Sequence, residues 1–132
     1  MAERNTHFRD GELVPFKVAA STQIEAGKMV AVNTDGYAIE AADTASIIVV
    51  GVAGETVDNT PGANGDLNVI VRRKKHFKLK NSATAAVTQA SVGSSVYVED
   101  DETVAIASGP TNDIVAGVCM GVDTDGVWVS IG

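Results

Sequence analysis

The sequence predicts an all-β fold: a small single-domain barrel or sandwich of short antiparallel strands, internally duplicated, with an extended N-terminal arm. Three observations carry this. The 132 residues hold 20 Val and 8 Ile against 3 Leu and 3 Met, and branching at Cβ restricts a side chain in a helix while suiting a pleated sheet. The 13 Gly supply the positive φ that tight turns between short strands require. Finally, the last third of the chain repeats the first. At an offset of 66, Ile24-x-x-Gly27-x-x-Val30-x-Val32-x-x-Asp35 matches Ala90-x-x-Gly93-x-x-Val96-x-Val98-x-x-Asp101, and Ile48-Val49-x-Gly51-Val52 matches Ile114-Val115-x-Gly117-Val118. A third block, Leu67-x-Val69-x-Val71, matches Val127-x-Val129-x-Ile131 at an offset of 60. The half-repeats are therefore expected at about 24–71 and 90–131, within a β domain of residues 14–132.

Taken in order, residues 1–13 are polar and lack either periodicity, so they read as an arm lying on its own domain or on a neighbouring subunit. Holding such an arm costs about 1–2 kcal/mol of backbone entropy per residue. Val14, Phe16 and Val18 alternate with Pro15 and Lys17; Pro15 lacks an N–H, so this is an edge strand or a lead-in. Residues 28–32 form a strand that turns at Asn33-Thr34-Asp35-Gly36, with Gly36 in the demanding conformation, and residues 37–40 return. The apolar run 47–53 predicts a strand buried on both faces. Residues 54–66 carry the Gly, Pro and Asn of a long loop. Residues 67–79 form one long strand or a bent pair, and residues 82–91, rich in Ala and Thr, are compatible with a helical turn.

Hydrophobic residues make up 45% of the chain, which excludes global disorder. The longest apolar run is far too short to span a bilayer, and the N-terminus has no apolar signal-peptide core, so synthesis without export is expected. One cysteine, Cys119, excludes an internal disulfide. The net charge of −7 disfavours a general nucleic-acid binder. Charge is segregated, however: residues 67–98 carry six bases and no acid, and residues 99–132 carry seven acids and no base.

Catalytic signatures are missing. The sequence has no P-loop, G-x-S-x-G, G-x-G-x-x-G, H-E-x-x-H or C-x-x-C, so neither catalytic residues nor a cofactor is expected. The spacing of His7, His76 and Cys119 does not suggest a zinc site, and Cys119 reads as an inert buried thiol. Glu99-Asp100-Asp101-Glu102 and Asp123-Thr124-Asp125 read as solvated hairpin tips; the second opens like a calcium loop but has no later bidentate Glu.

The most distinctive local feature is Arg72-Arg73-Lys74-Lys75-His76-Phe77-Lys78-Leu79-Lys80. Period-2 alternation puts charge on both faces near residues 73–75, so this stretch is an edge, a bend or a projection. Two readings are open: lysines that guard an exposed edge, or a dock for an acidic partner formed by Arg72, Arg73, Lys74, Lys75, Lys78 and Lys80.

The succession Ala26-Gly27-Lys28-Met29-Val30-Ala31-Val32, Gly36-Tyr37-Ala38, Val50-Gly51-Val52-Ala53, Phe77-Lys78-Leu79, Val92-Gly93-Ser94-Ser95-Val96-Tyr97-Val98, Ala116-Gly117-Val118 and Gly126-Val127-Trp128-Val129 resembles the capsid cement, or head-decoration, proteins of tailed bacteriophages over about residues 14–132. Residues 72–75 and 82–90 depart from the pattern. The resemblance implies a virion structural protein on the capsid surface, assembly as a homo-oligomer (dimer or trimer), the major capsid protein as partner, and no catalysis, membrane or nucleic acid. On that reading the arm lies along a capsid subunit, with Phe8 as its apolar anchor, Arg4 and Arg9 pairing with carboxylates, and His7 among its contacts. The alternatives are a tail or fibre β module, a small nucleic-acid-binding barrel, and a carbohydrate-binding or hydrolytic β domain. The last would need a cleft gathering Trp128, Tyr97 and the acids Asp100 or Asp101.

Overall fold

The computed structural model describes residues 3–7 and 11–132. It is nearly all β, as expected. The strands are β1 (Leu13–Lys17), β2 (Thr22–Ile24), β3 (Met29–Val32), β4 (Ala38–Glu40), β5 (Ile48–Ala53), β6 (Val57–Asn59), β7 (Asn68–Arg72), β8 (Lys75–Asn81), β9 (Ser95–Val98), β10 (Thr103–Ala105), β11 (Val115–Asp123) and β12 (Gly126–Ile131). A single 3-10 turn, Gln89–Ser91, stands where a helical turn was expected.

The strands form two five-stranded units in tandem. The first is a sheet ordered β1-β7-β5-β3-β4; the second is a closed barrel ordered β10-β8-β12-β11-β9. Substituting β8 for β1, β12 for β7, β11 for β5, β9 for β3 and β10 for β4 turns one order into the other. The correspondence extends to register. In the first unit Ala31 faces Val49, Val30 faces Gly51 and Met29 faces Val52, which leaves Val50 as a bulge. Sixty-six residues on, Tyr97 faces Val115, Val96 faces Gly117 and Ser95 faces Val118, and Ala116 is the bulge. The closing contact has a counterpart: Asn81 bridges Val104 in parallel in the barrel, and Val18 makes a matching but isolated parallel bridge to Ala38 in the first unit. The entry turns agree, with Gly27 at φ 85° and Gly93 at φ 86°, each donating its N–H to the strand opposite: Gly27 to Ala53 at 2.9 Å and Gly93 to Cys119 at 2.8 Å. Their left-handed backbone is one that a β-carbon disfavours.

Two sequence expectations need correcting. Ala53 faces Val71 and Cys119 faces Val129, so Val71 corresponds to Val129. The third block is therefore offset by 58, not 60. A slip of two residues keeps every side chain on its face, so alternation alone cannot detect it. The repeat also reaches further back than residue 24, because β1 matches β8: Val14 faces Val71 as Phe77 faces Val129.

Each unit has its own interior. Val18, Ile24, Val30, Ala38, Val50, Ala53, Val69 and Val71 fill the first. Leu79, Val87, Val96, Val98, Val104, Ala116, Cys119, Val127 and Val129 belong to the second, in a cluster that also takes in Met29, Ala31, Ala41, Ile47 and Val52 of the first unit. The outer face of β3 and β5 is thus buried against the second unit, with β5 packed on β11 and β12. This qualifies the expected strand at 47–53: Val50 to Ala53 are buried on both faces, but Ile48 is exposed. The expected loop at 54–66 contains β6, which pairs with β2. Asn59 there is buried and donates from Nδ2 to the carbonyls of Ala19 (2.9 Å) and Ala63 (3.0 Å).

Candidate interaction surface

Chain direction changes where the two units join. β7 ends at Arg72 and β8 begins at Lys75; between them Lys74 takes φ 59° and donates its N–H to the Ile131 carbonyl at 2.6 Å. The basic run is therefore a bend. It is not a protected edge: β7 lies between β1 and β5, and β8 between β12 and β10. The first sheet does end at β1, where Pro15 sits opposite Ile70.

The bend and the chain's own acids distribute the basic residues differently from one continuous strip. Arg73 turns inward and donates from Nε to the Val50 carbonyl at 2.7 Å. Lys75 pairs with Glu12 (3.6 Å), Lys78 with Asp125 (2.6 Å) and Asp123 (3.5 Å), and Lys80 with Glu102 (2.7 Å). The hydrogen bond to Lys78 holds the Asp125 carboxyl below its usual range, and the same contact raises Lys78. Arg72 and Lys74 are exposed and have no ion pair among the described residues.

Both acidic clusters form hairpin turns as expected, residues 99–102 between β9 and β10 and residues 123–125 between β11 and β12. The first also ties the two units together. Lys28 Nζ lies 2.7 Å from Glu102 Oε2 and 3.3 Å from Asp101 Oδ1, and Met29 N–H donates to the Asp101 carbonyl at 2.8 Å. Lys28, followed by Lys80, holds the Glu102 carboxyl down to about 2. A second tie passes through Asp43, whose carboxylate accepts the N–H groups of Thr111 (2.7 Å) and Asn112 (2.9 Å); those bonds lower its pKa. The sequence reading missed this pair because its members lie 68 and 69 residues apart in loops without a pattern.

Trp128 is neither in the core nor in a cleft. It stands on the outer face of β12 and is 38% exposed. Its Nε1–H donates to Asp123 Oδ2 at 2.8 Å, and Lys78 Nζ lies 5.7 Å from the ring centroid, within the range of a cation–π contact. Tyr97 lies on β9, separated from β12 by β11, so the cleft required of a carbohydrate site is not formed by these two residues. No pocket is present among the described residues. Val92, Val115, Val118 and Met120 are exposed on the second unit as well. No sequence signal marks this face, since the offset of 66 aligns exposed Val118 with buried Val52.

In the arm, Arg4 and His7 are exposed with no regular structure; Phe8 and Arg9 lie outside the described residues. His76 is exposed, whereas Cys119 is buried inside the second unit with Sγ 3.7 Å from the Gly121 carbonyl. Among the described residues no three potential metal ligands gather, and no helix is long and apolar enough to cross a membrane. No family model, curated protein or solved structure matches the chain.

Proposed function

We propose that this chain is a non-enzymatic structural protein of a phage virion that binds the outside of an assembled capsid lattice and stabilises it. The observation that carries this reading is the outer side of β11 and β12, where the register puts Val115, Val118 and Trp128 on one face and all three are exposed. Exposed large apolar groups gathered on one face mark surfaces that bind other macromolecules. The spacing of glycines and valines that resembles head-decoration proteins supports the major capsid protein as the partner. Arg72 and Lys74, exposed at the bend of a chain with net charge −7, add a local attraction for carboxylates on the shell. The arm supplies Arg4, His7, Phe8 and Arg9 to the same neighbour. A protein that binds the assembled lattice better than free subunits stabilises the lattice by linkage, and many copies on one lattice gain from multivalency.

The test is binding to undecorated shells of the encoding phage by the full chain, by a chain lacking residues 2–12, and by R72E/K74E. Saturable binding that both changes weaken supports the reading. Binding unaffected by either removes the arm and the bend from it, and co-purification with isolated tails rather than heads replaces the shell with a tail.

A further inference from the structure

We propose that this chain self-associates head to tail, the second unit of one copy receiving the first unit of the next in the way the first unit already receives the second unit of its own chain. Burial at equivalent positions differs between the units, and in opposite directions. Val52 is 7% exposed and its equivalent Val118 is 37% exposed; Met29 is fully buried and its equivalent Ser95 is exposed. On the other side, Ile114 is 9% exposed while its equivalent Ile48 is 66% exposed. Each unit therefore has two different faces. The β3–β5 face of the first unit (Met29, Ala31, Val52) is covered by the second, whose covering side includes Ile114 and the loop Thr111–Asn112 that grips Asp43.

A contact of this kind uses two unlike surfaces, and one example of each remains open. The open receiving face is Ser95, Tyr97, Val115 and Val118 on β9 and β11; the open covering face is Ile48 beside the β3–β4 turn. Bringing a second copy's Ile48 onto Val118 continues the interface already present within the chain. Such heterologous contacts generate rings or open chains rather than an isolated two-fold pair. The main-chain bond from Met29 to the Asp101 carbonyl can be repeated by the Ser95 N–H and the next copy's Asp35 carbonyl. The side-chain ties cannot: Lys28, which forms the ion pairs, is replaced by Ser94, and Asp43, which accepts the loop N–H groups, by Gly109. The association between copies is accordingly weaker than the union of the two units and depends on concentration. Val115 and Val118 also belong to the face proposed to meet the shell, so a second copy seated there competes with shell binding at those two residues.

The test is sedimentation velocity on the full chain from micromolar to millimolar concentration, with V118D and I48D, each checked for an unchanged thermal melt. The proposal expects species larger than dimers in the parent and monomers for each variant alone. A mixture of V118D and I48D should form dimers and stop there, because each variant retains the face that the other has lost. A parent that stays monomeric throughout, or a mixture that stays monomeric while the parent assembles, overturns it.

Discussion

Lys28 Nζ stands 2.7 Å from Glu102 Oε2, joining the start of β3 in the first unit to the β9–β10 turn in the second. The two side chains keep 24% and 36% of their surface exposed, so water and salt screen the pair. Its effect is nevertheless readable through pH. Glu102 has a folded pKa lowered from 4.5 to about 2. A lowered acid stabilises the folded state above its unfolded pKa and loses that contribution as pH falls through the folded value. Stability is therefore expected to be level above about pH 5.5 and to drop towards pH 2, with Asp43 and Asp125 acting in the same direction. Thermal melts of E102Q should show lower stability at pH 7 and a shallower acid decline than the parent. Parallel curves for the two proteins would show that this pair does not couple the units.

Gly51 and Gly117 are equivalent and equally constrained. A β-carbon on Gly51 would run into the Arg72 carbonyl oxygen and Val71 Cγ1; one on Gly117 would meet the Ser130 carbonyl oxygen and Val129 Cγ1. The obstacle is partly backbone and cannot swing aside. G51A and G117A should each lower unfolding stability by about 1–3 kcal/mol, measured by urea denaturation. Stabilities within error of the parent would mean that the strands approach less closely than described.

Asn59 closes one end of the first unit by donating to two main-chain carbonyls. Asn59→Leu keeps the size but removes the donor, leaving buried acceptors without a partner. The expected loss is about 1–3 kcal/mol, together with faster amide exchange over residues 59–66. Unchanged exchange in that loop would show that the side chain does not hold it.

Much of the fold could be read from the sequence because period-2 alternation and turn glycines are local signals. Gly36 ended β3 where expected, and both acidic clusters became hairpin turns. The slip from an offset of 60 to 58 was invisible because both registers present Val69 and Val71 to the same interior. Strand β6 was hidden among Gly, Pro and Asn residues, since its pairing with β2 is decided by tertiary contact. The basic run was read correctly as a discontinuity, but its partners Glu12, Asp123, Asp125 and Glu102 are brought in by other strands and loops. Exposure of Val118 beside burial of Val52 follows from the order of two similar units along one chain, which no local pattern records.

The proposed grip on an assembled capsid surface is open to direct measurement. The direct measurement is co-sedimentation of the purified chain with undecorated shells, paired with the melting temperature of those shells, across a range of salt. Binding is expected to be saturable, to raise the shell melting temperature and to weaken on the order of tenfold as added salt shortens the Debye length from about 10 Å to about 3 Å. Shells that sediment without the chain and melt at an unchanged temperature, even in low salt, would contradict it.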